Sequence, residues 1–150
     1  MAPDTPLKLR AEDVDDLAVI SACMQDALIS VKDLSYDRTA RSFTFVANRF
    51  RWEGPLDTDG GVAAHERTLC TVSFAAVERV SYRGFRRSAD DRILSLLAIR
   101  PGAGGATIAL EFSGGATVRL DVSSIRVHAT DIGEPWPTVW RPDHNADAPR

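Results

Sequence analysis

A chain of 150 residues, 44% hydrophobic and 26% charged, is long enough to bury one core and too short for two full enzyme domains. Its 18 basic and 21 acidic residues leave a net charge of −3, so nothing draws the whole molecule to phosphate backbones or anionic lipid, and nucleic-acid binding is disfavoured. No stretch approaches the ~18 consecutive apolar residues of a membrane span, and no basic region with an apolar run opens the chain, so the expectation is a cytoplasmic protein.

Leu7 to Leu9 suits a short strand. From Ala11 to Leu28, apolar residues at Val14, Leu17, Ile20, Met24 and Leu28 recur every three or four positions, which predicts a helix over 11–28. Glu12, Asp13, Asp15 and Asp16 fall in its first turns, where negative charge offsets the positive end of the helix dipole. That explains the four carboxylates without a metal.

Beyond Leu28 the period shortens. Ile29, Val31 and Leu34 lead into a polar turn at Asp37–Arg41 and then a strand from Phe43 to Trp52, a hairpin pattern. Phe43 and Phe45 mark one face of the second strand, and Val46, Phe50 and Trp52 mark the other. Either a bulge near Ala47 shifts the register or both faces are covered. Residues 53–66 carry Gly54, Pro55, Gly60 and Gly61 and no period, as a long loop does. Alternation returns at Thr68 and changes step at Ala76–Val77, which predicts a bulge or corner there. Arg86–Arg92 reads as a turn and Ile93–Ile99 as a buried strand. Thr107–Phe112 and Ala116–Val122 flank a tight Ser113–Gly115 turn, and Ile125–Ile132 alternates again. The proline-rich segment 133–150, with Trp136 and Trp140, reads as an extended tail clamped onto the body.

One helix and about seven strands joined by short connections require antiparallel pairing, because parallel strands need long crossovers. The expected fold is mainly β (α+β): a curved antiparallel sheet, as a barrel or two packed sheets, with one N-terminal amphipathic helix covering an opening. The organisation is a single domain over 1–150, with the helix at 11–28, a β body at 29–132 and the tail beyond.

Chemistry is sparse. Cys23 and Cys70 lie in apolar periodic segments without CxxC spacing, as small core residues of a reducing compartment do. His65, His128 and His144 share no metal-ligand spacing, no nucleophile or phosphate-loop signature is present, and no cofactor or metal is expected. Positive charge gathers in two blocks. Residues 38–51 hold Arg38, Arg41, Arg49 and Arg51, and residues 79–100 hold Arg79, Arg83, Arg86, Arg87, Arg92 and Arg100 with Tyr82 and Phe85 interleaved. If the two blocks become neighbours in space, their arginines merge into one basic face; otherwise they pair with the acidic helix and solvent. Arg49 and Arg51 share one strand face about 7 Å apart, a spacing that clamps one dianion.

The blocks Leu7–Asp13, Asp16–Ala27, Asn48–Glu53, Leu96–Ile99, Asp131–Pro137 and Arg141–His144 resemble a family of small bacterial proteins designated as a domain of unknown function, over residues 7–144. The resemblance implies bacterial origin, a cytoplasmic location and a single-domain build, and carries no activity, cofactor or catalytic residue with it. From the residues, the leading functional expectation is a non-enzymatic binding or adaptor module. Its arginine and aromatic face, Arg49, Arg51, Trp52 and Arg83, would engage an acidic protein partner or a small anion. The alternatives are an enzyme on a small anionic substrate, with Arg49 and Arg51 as clamps and His128 or a carboxylate as base, and a structural homodimer pairing through an edge strand.

Overall fold

The computed structural model describes residues 6–51, 65–86 and 92–138. In chain order these form β1 (Lys8–Ala11), α1 (Val14–Cys23), β2 (Leu28–Ser30), β3 (Ser35–Asp37), β4 (Ser42–Phe50), β5 (His65–Phe74), β6 (Val77–Arg83), β7 (Ile93–Pro101), β8 (Thr107–Phe112), β9 (Thr117–Val122) and β10 (Val127–Thr138). Trp52, most of the expected loop at 53–66, the middle of the Arg86–Arg92 turn, and Trp140 and His144 in the tail lie outside the described residues.

The helix begins where the sequence places its acidic residues: the Asp13 carboxylate caps it by accepting the Asp16 N–H at 2.8 Å. It stops at Cys23 rather than at Leu28. Asp26 takes a left-handed conformation (φ +67°), its N–H donates to Leu96 O, and Leu96 N–H donates to Ala27 O, so the chain turns directly into β2. Leu17, Ile20 and Met24 are buried, whereas Val14 and Leu28, counted on the same face by spacing, are exposed.

Among the described residues every strand pairing is antiparallel, and one sheet of ten strands runs in the order β1-β10-β5-β4-β2-β7-β8-β9-β6, with β3 added on β4. The expected count of about seven is too low: the short strand expected at Leu7–Leu9 forms as β1, but β2 and β3, three residues each, are too short to show a period of their own and fall in the one stretch read ahead of the Asp37–Arg41 turn. Nor do the described residues complete a closed barrel, since no ladder joins β1 to β6. The sheet is nevertheless strongly curved. Only Ala75 and Ala76 connect β5 to β6, so Phe74 and Val77 lie at most about 10 Å apart, yet β6 stands at the far end of the strand order. At that corner Ala76 has φ +58°, Ala75 N–H donates to Arg126 O, and Val77 N–H donates to Arg41 O. On the opposite side α1 contacts both β1 and β7, and Ser21 Oγ accepts the Ile99 N–H at 2.8 Å.

The core fills the inside of this curve. Phe43, Phe45 and Phe74 pack with ring centroids 6.1 and 6.3 Å apart, and Leu96, Ile108, Leu110 and Leu120 complete the cluster from the other half of the strand order. The ladder from β4 to β5 is unbroken from Phe43↔Phe74 to Phe50↔Arg67, so no bulge forms near Ala47. Both faces of β4 are covered instead at its end, where Arg49 and Phe50 are both buried. Residues 133–138, expected in the extended tail, continue β10. Gly133 and Pro135 lie within a register shift between Ile132 and Trp136, where a proline removes no ladder hydrogen bond.

Candidate functional site

Arg49 follows Phe43, Phe45 and Ala47 on the inward face of β4, so alternation carries it into the core, where its side chain is fully buried. A buried guanidinium needs a counter-charge. Asp131 on β10 supplies it: Nε meets Oδ1 at 2.9 Å and Nη2 meets Oδ2 at 2.8 Å, the bidentate arrangement that suits arginine. Arg49 Nη1 also donates to Phe50 O, and Asp131 Oδ2 accepts the Leu7 N–H at 2.9 Å. Burial works to raise the Asp131 pKa, but the hydrogen bonds from Arg49 and Leu7, with the guanidinium charge, hold it below the ordinary carboxylate range.

Cys70 sits between these groups, in register with Asp131 on one side and Ala47 on the other. Burial, reinforced by the Asp131 charge, pushes its thiol up to about 12, which makes it a protonated core group rather than a nucleophile. Arg51 is also buried and pairs with Glu66, whose carbonyl accepts the Arg51 N–H at 2.9 Å. A third buried arginine, Arg67, donates to Asn48 O and Oδ1 at 3.1 and 3.0 Å.

The two arginines expected to clamp an anion are therefore each engaged by a carboxylate of their own chain. The alternation that puts Arg49 on the Phe43–Phe45 face was visible in the sequence. Its partner, 82 positions away, was not. Arg83 is not brought to this group: it lies exposed on β6, in register with Thr117. His128 is exposed on β10 between Arg10 and Ser73, on the opposite face from Asp131.

The two basic blocks do meet, but elsewhere. β6 is paired only with β9 among the described residues, and its other edge looks toward β3. The Tyr36 hydroxyl bridges the two strands by donating to Val77 O at 2.8 Å. Beside this bridge opens a cleft of about 590 Å³, lined by Tyr36, Arg38, Glu78, Arg79, Val80 and Tyr82. Arg41 meets Glu78 at 3.3 Å, Arg79 and Arg119 both meet Asp121 at 3.2 Å, and Arg38 forms no ion pair among the described residues. Tyr82 is steadied by an edge-on contact with Phe85, centroids 5.8 Å apart. Arg83 borders a smaller hollow of about 340 Å³ on the outer face of the same strand, with Ser81, Ala109, Thr117 and Arg119. Arg38 was counted in the first basic block, but nothing in the sequence singled out Tyr36, just ahead of the Asp37–Arg41 turn. The signal for the cleft was the positive charge shared by two separate blocks.

A family model described as a protein of unknown function, DUF2948, matches residues 7–144. The chain belongs to the DUF2948 family. The matched span of this DUF2948 protein includes both the buried Arg49–Asp131 pair and the β3–β6 cleft. No curated protein and no solved structure matches the chain. No helix among the described residues is long and apolar enough to cross a membrane, and no group of three or more His, Cys, Asp or Glu among them could hold a metal ion.

Proposed function

We propose that this DUF2948 protein is a binding module that receives an acidic partner at the arginine–tyrosine cleft between β3 and β6, the seam of a barrel left open. The observation that carries this reading is the meeting of the two basic blocks there, Arg38 from one side and Arg79 from the other, with Arg41 beside them on Glu78. Guanidinium forks beside tyrosine rings suit carboxylate side chains carried on a chain, and about 590 Å³ is room for several side chains rather than one small ion.

The enzyme alternative takes His128 or a carboxylate as base beside the Arg49 and Arg51 clamp; His128 projects from the other face of β10, and the carboxylates beside the clamp, Asp131 and Glu66, are held as ion-pair partners of those two arginines. The homodimer alternative needs an edge that tolerates its own copy. Antiparallel self-pairing centred on Ser81 sets Arg79 against Arg83, and self-pairing of β1 centred on Leu9 sets Lys8 against Arg10. Like charges directly opposite are unfavourable in a sheet.

Fluorescence anisotropy with a labelled oligoglutamate peptide tests the proposal. Saturable binding is expected, weakened about tenfold or more by Arg38→Glu with Arg79→Glu and unchanged by Lys8→Glu on the far edge of the sheet. Equal loss in both variants, or no binding to wild type, removes the cleft from consideration.

A further inference from the structure

We infer that the partner enters this cleft as an extended strand that pairs with β6, its side chains alternating acidic and aliphatic; the inference rests on the acidic-partner reading above. The first ground is the direction of the backbone groups. Val122 N–H donates to Ala106 O on the β8 side. Because the hydrogen-bonding direction alternates along an antiparallel strand, Asp121, Arg119 and Thr117 turn toward β6 instead. Their register partners are Arg79, Ser81 and Arg83, so the intervening Val80 directs its N–H and C=O toward the cleft.

The second ground is what already occupies that edge. Val77, at the start of β6, has its N–H on Arg41 O at 2.9 Å and its C=O on the Tyr36 hydroxyl at 2.8 Å. The edge is thus satisfied where β3 and the turn after it reach it, and among the described residues no strand pairs with it beyond. An added strand continues the same contacts by main-chain pairing.

The third ground is charge and side-chain alternation. Arg79 and Arg83 project to the outer face, while Val80 and Tyr82 project with the inward-facing Leu120 and Val118. An incoming strand in register sets acidic residues opposite the arginines and aliphatic residues opposite Val80 and Tyr82. The arginines that repel a second copy of β6 select such a strand. The register shift between Val77 and Arg79 further limits pairing to a partner that tolerates the twist of a bulged edge.

The test uses the whole protein and four labelled peptides: one alternating glutamate and valine, an isomer of the same composition with the two residue types in separate blocks, and two forms of the alternating peptide N-methylated on every second backbone nitrogen, one in each phase. The alternating peptide is expected to bind about tenfold more tightly than the block isomer, and methylation in one phase only is expected to abolish that gain. Val80→Pro provides a second measurement: proline is tolerated where an edge N–H faces outward, so this variant is expected to keep the wild-type melting temperature and to lose the alternating peptide. Equal binding of the alternating and block peptides, with no effect of methylation, overturns strand addition and leaves the acidic-partner reading standing. Failure of both acidic peptides to bind overturns the two together.

Discussion

The guanidinium of Arg49 reaches past β5 to hold both carboxylate oxygens of Asp131, at 2.9 and 2.8 Å, so that β4 and β10 are tied although they are not neighbours in the sheet. The same carboxylate accepts the Leu7 N–H, and Asp131 N–H donates to Leu7 O, which fastens the chain just ahead of β1. Removing one member strands the other charge in the core. Asp131→Ala or Arg49→Ala is expected to cost about 3–5 kcal/mol in urea denaturation. The double variant Arg49→Met/Asp131→Leu is expected to cost much less than the two single losses together, because no buried charge remains. Strict additivity would show that the pair is not coupled.

Acid sensitivity follows from the same carboxylate. Its folded pKa lies below the ordinary value, so the stability it contributes is fully present above the unfolded value of about 4 and is lost as the pH falls through the depressed folded one. Denaturation midpoints measured from pH 6 down to pH 2 are expected to fall below about pH 5. Asp131→Asn should flatten that limb. A parallel shift of the whole curve, with its acid slope intact, would assign the limb to other groups.

Cys70 gives a prediction of opposite sign. Its pKa is raised to about 12 in the fold, so the contribution is present below the unfolded value of about 8.5 and fades as the pH rises toward the folded one. At pH 8 the native Cys23→Ser protein, whose remaining thiol is Cys70, is expected to resist iodoacetamide and to react once unfolded in urea. Rapid labelling of the folded protein would contradict the burial and the neighbouring charge that protect the thiol.

Gly84 closes β6 with φ +84°, and a Cβ there would stand 2.4 Å from Gly115 O and 2.9 Å from Ala116 Cα. Both obstacles are backbone. Gly84→Ala is expected to cost more than the roughly 1–2 kcal/mol of left-handed strain alone. Gly104→Ala, at φ +72° with open space around the added carbon, serves as the strain-only comparison. Thermal melts of the two variants that coincide would dismiss the steric part.

Much of this arrangement was legible from local signals. The antiparallel sheet, the Gly114–Gly115 turn, the step at Ala76–Val77 and the single helix each follow from a period or a turn residue within a few positions. What escaped was long-range. The helix ends early because Asp26 and Ala27 bond to Leu96, some seventy positions away, and spacing alone extends it to Leu28. Alternation assigned Arg49 and Arg51 to one face but not what that face meets. Asp131 and Glu66 turn a suspected anion clamp into two internal ion pairs. Likewise Tyr36 and Arg38 gain significance only when the curvature of the sheet brings β6 to them.

Strand β1 has β10 as its sole neighbour, and β10 is the last strand, among the described residues. During synthesis, therefore, β1 emerges from the ribosome well before its partner exists. The helix that bridges β1 and β7 waits on the same event, so β1 and α1 settle only once β10 is made, and truncation before Val127 deprives β1 of its place.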